Sequence, residues 1–296
     1  MAVPDAPASP PAKVGARVRR AAGPASRDRL VALRRRLVDL ALRPVYAVYI
    51  RRLRVAVQAY PVPAHVAVIM DGNRRWARQE GLLPGAGHRR GAEKALELLD
   101  WCAALGVREV TLWALSLENL GRTPDEIGTI TDVAADALAA LASGRRRTRV
   151  PVHLRVIGRA ELLPERLRQV VADSSAVSRP DGALSVTIAL GYSGRDELVE
   201  ACRSTVSELV AAGVPAERLP EALTAEALAA HLYTRGSTDP DLIIRTSGEV
   251  RLSGFLPWQS AYSEYYFCEA HWPAFREIDF LRAIRTYQQR SRRFGR

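Results

Sequence analysis

Cysteine is scarce in this 296-residue chain: Cys102, Cys202 and Cys268 stand far apart. Such spacing offers neither a disulfide framework nor a zinc-ligand pair, and it reads as three small buried hydrophobes. Long apolar runs are also missing, since no stretch approaches ~18 consecutive apolar residues, and a membrane-spanning helix is not expected. The arginine-dense N-terminus lacks the apolar stretch and small-residue cleavage site of a secretory signal, which points to a cytoplasmic protein. The phosphate-cradling pattern Gly-x4-Gly-Lys-Ser/Thr does not occur either, which removes the P-loop nucleotide enzymes.

What the chain has in excess is positive charge, +11 in all. Residues 1–60 hold Lys13 and twelve arginines against Asp5, Asp28 and Asp39, a surplus of ten that leaves only +1 for residues 61–296. A specific nucleic-acid partner is therefore disfavoured, because the charge belongs to an appendage and aromatic residues do not interleave with it. Residues 1–25, rich in alanine and proline, read as a disordered tail. Residues 26–60 read as a basic amphipathic helical extension, with Leu30, Leu33, Leu37 and Leu40 at helical spacing and Pro44 ending or kinking the first segment. Its apolar stripe suits peripheral contact with an anionic membrane surface, and equally suits the chain's own body or a second subunit. Residues 61–296 suffice for one α/β core.

That core is organised around Val66-Ala-Val-Ile-Met70, an apolar run of the kind buried on both faces of a parallel sheet, followed at once by Asp71-Gly-Asn-Arg-Arg-Trp76. Ligands gather at strand carboxyl ends in such sheets. An oxygen ligand beside amide and guanidinium donors suits a diphosphate with a divalent cation. An Asp-Gly pair after a strand is more often only a turn, so this reading needs support from elsewhere. Support comes from two further loops. A strand at Val110–Leu115 opens into Ser116–Pro124, and a strand at Asp241–Arg245 opens into Thr246-Ser-Gly-Glu249, then Arg251-Leu-Ser253. Arginine forks flanking hydroxyls suit a second diphosphate.

The remaining pattern alternates strands and helices. Strands are expected at 152–157, 184–190 and 265–268, and helices at 88–105, 123–142, 162–172, 195–209, 221–232 and from about 280. This alternation implies right-handed crossovers and a parallel sheet clothed by helices. His88, Arg89 and Arg90 crowd the first turn of one helix, where an anion would meet both side chains and backbone donors. The helix after Thr123 is rich in alanine, which leaves room for a groove or tunnel, or merely reflects helix propensity. Gly191-Tyr-Ser-Gly194 is a strand-to-helix turn or a small anion nest.

Taken together, His65–Ala77, Leu115–Arg122, Gly191–Glu197, Asp239–Glu249, Arg251–Glu264 and Arg293–Gly295 resemble, in order, blocks of the cis-prenyltransferases. This family of Z-isoprenyl diphosphate synthases includes undecaprenyl diphosphate synthase. The resemblance implies a six-stranded parallel sheet surrounded by helices, a homodimer, and a magnesium requirement. It also implies condensation of isopentenyl diphosphate with an allylic diphosphate to a Z-configured product, with release of diphosphate. On the same basis Asp71 and Asn119 are the catalytic residues, and Asp71 with Glu264 holds magnesium. Gly72, Asn73, Arg74 and Arg75 would cradle the allylic diphosphate, with His88 nearby and Trp76 beside that loop as further substrate-binding residues. Ser116, Leu117, Glu118, Leu120 and Arg122 would lie along the second substrate's path. Arg245, Arg251, Leu252 and Ser253 would hold isopentenyl diphosphate, and Arg293 and Gly295 would reach across the dimer.

Two departures bear on product length. Pro84 stands where long-chain members commonly have arginine, and Leu115-Ser-Leu-Glu-Asn-Leu120 resembles the short-chain farnesyl type. Ala114 is small, whereas a bulky residue near this point is one way short-chain relatives close the tunnel. A short Z-product is the expectation, with a polyprenyl product as the alternative. A non-catalytic partner subunit is a further alternative, against which stand Asp71 and Glu264. No Asp-Asp-x-x-Asp occurs to suggest a trans-type synthase.

Overall fold

Strand β1, His65–Ile69, is buried along its whole length, and both of its neighbours run parallel to it. In the computed structural model, which describes residues 44–143, 150–177 and 184–290, it lies inside a six-stranded sheet of order β3-β4-β2-β1-β5-β6. The other strands are β2 (Glu109–Ser116), β3 (Val152–Ile157), β4 (Leu184–Tyr192), β5 (Leu242–Arg245) and β6 (Glu264–Phe267). Every pairing is parallel, as expected where helical crossovers link the strands, although β5 reaches β6 through a long loop without a helix. Period-two alternation explains the apolar run. Val66 and Val68 enter the larger core on one face, and Ala67 and Ile69 enter a second cluster with Ile243 and Phe255 on the other.

The helices are α1 (residues 44–58), α2 (Asn73–Gln79), α3 (Pro84–Leu105), α4 (Pro124–Ala142), α5 (Glu165–Val177), α6 (Gly194–Ala211), the short α7 (Leu219–Ala222) and α8 (Ala225–Ala229), and α9 (Glu277–Gln289). Several boundaries differ from the sequence reading. Helix α3 begins at Pro84, because proline is tolerated in a first turn where no N–H is needed, so the expected loop before it is shorter. The expected helix over 221–232 is two pieces, broken at Leu223 and restarted by Thr224, whose hydroxyl accepts from the Ala227 N–H at 3.2 Å. Helix α9 starts at Glu277, ahead of Phe280, where Asp279 reaches back to the Arg276 N–H at 3.1 Å.

Residues from Ile50 onward form one compact unit, and of the chain before it only 44–49 are described. Within the larger unit, Leu53 and Val57 of α1 are buried in the main core, and Arg54 forms an ion pair with Glu277. Leu53 and Val57 of the extension thus pack on the chain's own body. The expected tail 1–25 and the extension's first segment, 26–43, lie outside the described residues. No described helix is long and apolar enough to cross a membrane.

Candidate active site

The strand order sets the site. From β1 the chain crosses to β2 on one side, while β5, paired to the other side of β1, leads away to β6, so the carboxyl ends of β1 and β5 flank a topological switch point. Asp71 leaves β1 there and Arg245 ends β5. Thr246 stitches the two turns together: its hydroxyl donates to the Asp71 carbonyl at 2.7 Å and accepts from the Asp71 N–H at 3.0 Å. The Trp272 N–H reaches the same carbonyl at 2.9 Å. Residues 174 apart in sequence thus meet: Arg75 Nη2 donates to Asp71 Oδ1 and Arg245 Nη2 to Asp71 Oδ2, each at 3.1 Å.

Glycine makes this turn possible. Gly72 has φ +102°, and a Cβ there would stand 2.8 Å from His271 Nδ1. Helix α2 then lies against α3 at two further glycines. A Cβ at Gly87 would come to 2.2 Å from the Asn73 carbonyl oxygen, and one at Gly91 to 2.2 Å from Asn73 Oδ1. Asn73 is thereby fixed, with Nδ2 donating to the Met70 carbonyl at 3.1 Å.

A cavity of about 570 Å³ opens above these strand ends. Its lining includes Asp71, Gly72, Asn73, Arg74, Arg75 and His88 from the first loop, Ser116, Asn119 and Arg122 from the second, and Arg245, Arg251 and Ser253 from the third. Three stretches far apart in sequence therefore share one chamber. Six arginines line it, counting Arg78, which sequence reasoning passed over for want of any pattern beyond its helical position. Against them stand Asp71, with Glu126 pairing Arg74 and Arg122, and Glu249 pairing Arg75 and Arg251. Six guanidiniums against three carboxylates leave an excess of three positive charges. Four of the five buried side-chain N or O atoms that have no partner among the described residues belong to Asn73, His88, Trp113 and Arg245, all of them in this lining. Such orphans are costly unless a ligand meets them.

A second, narrower cavity of about 90 Å³ shares Met70, Asn73, His88, Ala114 and Ile130 with the first. Small residues form its near walls: Ala92 and Ala95 of α3, Ala134 and Ala137 of α4, and Ala114 of β2. Leu99, Leu112, Leu138, Leu141 and Ile188 also line it and belong to the core. The alanine-rich helix therefore does border a slot. Ala114 faces it from a β-bulge, because Trp113 pairs with Ala189 and Leu115 with Leu190, so that β2 carries one extra residue.

His88 sits where the two cavities join. Its imidazole pKa is lowered to about 4, first by burial, then by the charge of Arg122, with Glu126 opposing and Arg74 adding. At neutral pH the ring is uncharged.

Other candidates lie apart from the chamber lining. Glu264 starts β6, paired in register with Leu242 at the opposite end of the strand from Arg245, and its carboxylate receives Arg290 Nη1 at 2.5 Å. The structure does not bring it to Asp71, because Ile243 and Ile244 lie between the two ends of β5. Trp76, Leu117, Glu118, Leu120 and Leu252 are likewise absent from the lining. Leu120 packs against the core, and the Leu117 N–H bonds the Tyr192 carbonyl at 3.0 Å. Arg293 and Gly295 lie outside the described residues. The Gly191–Gly194 turn is structural, since the Gly194 N–H already donates to the Gly254 carbonyl at 3.0 Å. Trp113, in the lining and unassigned by sequence, looks like any core aromatic in a strand.

One divalent cation fits this donor set only in company with a ligand. No group of three or more His, Cys, Asp or Glu side chains able to hold a metal occurs among the described residues, and Asp71 is the one carboxylate in the lining. Magnesium is commonly held by one or two carboxylates plus substrate phosphates and water, which this arrangement allows.

A polar, cationic chamber at the switch point of a parallel sheet, opening into an apolar slot, defines a protein that handles a charged head and a hydrocarbon tail together. The chain belongs to the undecaprenyl diphosphate synthase family of prenyltransferases, whose family model, described as "putative undecaprenyl diphosphate synthase", matches residues 69–295. It is 51% identical over 253 residues to a (2Z,6E)-farnesyl diphosphate synthase of Thermobifida fusca, covering 85% of this chain and 97% of that one. A short-chain Z-isoprenyl diphosphate synthase of Mycobacterium leprae is 47% identical over 259 residues, covering 85% and 96%. Among solved structures, lavandulyl diphosphate synthase from Lavandula x intermedia, in complex with dimethylallyl diphosphate, matches with TM-score 0.74 and 31% identity, over 79% of this chain and 99% of that one.

Proposed function

We propose that this chain condenses isopentenyl diphosphate with an allylic diphosphate, geranyl or farnesyl, to give a short Z-configured prenyl diphosphate and free diphosphate. The observation that carries the reading is the Asp71–Arg245 contact across β1 and β5, under a cationic chamber that leads into an alanine-walled slot. The allylic head binds over Gly72, Asn73, Arg74 and Arg75, with its tail in the slot. Isopentenyl diphosphate binds over Arg245, Arg251 and Ser253.

Breaking the allylic C–O bond leaves a carbocation and a diphosphate that carries one more negative charge than the ester did, so the departing group needs positive charge and the cation needs dry apolar walls. Arg74 and Arg75 supply the first, and the slot supplies the second. The isopentenyl double bond then attacks the allylic carbon and one proton leaves its C2. Asn119 is a poor base and orients the acceptor; Asp71 or a diphosphate oxygen takes the proton. Magnesium, held by Asp71 with the substrate, would add charge neutralisation that three surplus guanidiniums lack against two diphosphates of about −3 each. His88, uncharged, offers a hydrogen bond at the junction without a second positive charge near the carbocation.

A homodimer is supported by the β6 edge of the sheet, beside which Tyr262 and Phe267 are exposed. Exposed Arg51, Arg52 and Val55 on α1 support peripheral contact of a cytoplasmic protein with an anionic membrane.

The test is incubation of purified protein with magnesium, labelled isopentenyl diphosphate and either geranyl or farnesyl diphosphate, with the products sized. One or two additions are expected. Long polyprenyl ladders would overturn the short product, and no incorporation with either primer would overturn the activity. Asp71→Ala should fold and lose at least about 100-fold in turnover.

A further inference from the structure

Glu197, on the first turn of α6, is completely buried and forms no contact ion pair among the described residues, the charge of Arg155 acting on it only at longer range. A carboxylate out of water without a counter-charge in contact is costly, and here hydrogen bonds from neutral donors offset that cost. Tyr192 Oη donates to Oε2 at 2.6 Å, the Tyr233 N–H to Oε1 at 2.9 Å, and Gln259 Nε2 to both oxygens at 3.2 Å. Burial pushes its pKa up, while Tyr192, Gln259 and the backbone N–H groups of Tyr233 and Thr234 pull it down. These donors come from three places: the end of β4, the segment before β5, and the long loop between β5 and β6.

That loop carries Arg251 and Ser253, and it is strained. Ser253 has φ +54° and Leu256 φ +47°, left-handed values that cost a side chain about 1 kcal/mol or more each. Such geometry persists only where surroundings over-determine it. Gly194, three residues before Glu197, fits so tightly beneath the loop that a Cβ would stand 2.2 Å from Pro257 Cδ and 2.5 Å from the Gly254 carbonyl oxygen. Phe255 stacks on Trp113, with ring centroids 5.1 Å apart and planes at 8°. On the chamber side, Arg245 Nη1 donates to Ser253 Oγ at 2.8 Å and to the Arg251 carbonyl.

We propose that Glu197 is a positioning residue for isopentenyl diphosphate: through Gln259 it clamps the strained 251–259 loop and so fixes Ser253 and Arg251 at the chamber wall. This rests on the assignment of that wall to isopentenyl diphosphate made above. Glu197 touches no substrate. Its removal loosens one wall of the chamber and leaves the Asp71–Arg75 wall intact.

The experiment measures kcat and both KM values, with magnesium, for the full chain and for Glu197→Gln, Gln259→Leu, Ser253→Ala and the Glu197→Gln/Ser253→Ala pair, with thermal melts to check folding. Glu197→Gln keeps the shape but sets an N–H2 against donors, and Gln259→Leu deletes the loop's side of the contact together with the Gln259 bond to Thr234 Oγ1 at 2.7 Å. Each should raise KM for isopentenyl diphosphate about tenfold or more, with KM for the allylic diphosphate changed less than about threefold. The double variant should be clearly less than multiplicative, because Glu197 acts through the residue already removed. Equal rises in both KM values, or a lowered melting temperature with unchanged KM, overturn the proposal and leave Glu197 a general stabiliser. If Ser253→Ala itself raises KM for the allylic substrate instead, the substrate assignment fails, and the clamp is judged on that substrate by the same non-additivity.

Discussion

His88 gives the protein an acid sensitivity whose sign and size follow from its surroundings. In the unfolded chain its ring takes a proton near pH 6.5. In the folded chain burial, aided by Arg122 and Arg74 against Glu126, delays protonation until about pH 4. Above pH 6.5 neither state carries the proton and the shift has no effect on stability. Between 6.5 and 4 the unfolded state binds a proton that the folded state refuses, so stability falls with acidification. At about 1.4 kcal/mol per pH unit the loss reaches about 3 kcal/mol. His88→Gln removes that loss and keeps a hydrogen-bonding side chain of similar reach. Urea denaturation of both proteins, from about pH 7.5 to about pH 4.5, should show the difference in unfolding free energy moving about 2–3 kcal/mol in the variant's favour. A difference that stays constant with pH would refute the reasoning, because it would mean that the folded ring titrates like the unfolded one.

Other outcomes follow from the same geometry. Leu99→Ala, at a buried position in the slot lining, should lengthen the product by one or more units and cost about 2–5 kcal/mol of stability, read by product sizing and denaturation. Gly91→Ala drives a methyl group to 2.2 Å from Asn73 Oδ1, so Asn73 must turn away and KM for the allylic diphosphate should rise about tenfold, with the isopentenyl KM the internal control. Asn119→Ala should lower turnover about 10- to 100-fold; near-normal turnover would remove Asn119 from the mechanism.

Much of the catalytic domain's architecture is legible in the amino-acid order. The apolar run 66–70, the Thr123-Pro124 helix start and Gly106 at the end of α3 are local signals with local causes: two-faced burial, a proline where no N–H is required, and a left-handed cap at φ +82°. The strand and helix alternation likewise carries the parallel sheet. Boundaries were less legible where local chemistry is ambiguous. Pro84 reads as loop until its place at the first position of α3 is seen, and 221–232 reads as one helix because the Thr224 cap hides inside an apolar periodicity.

The sequence by itself determined which loops carry guanidiniums, hydroxyls and carboxylates, because those loops follow strands and strand carboxyl ends lie together in a parallel sheet. Only the tertiary structure decided which of those groups meet. Register placed Arg245 beside Asp71 and left Glu264 at the other end of its strand pair, held by Arg290. Helix packing turned scattered alanines into a slot and brought Arg78 and Trp113 to the chamber, and the buried Glu197 acquired its partners from three distant segments. The physical reason is that charge and propensity are properties of residues, whereas contact across 174 positions depends on how strands are ordered and aligned in the sheet.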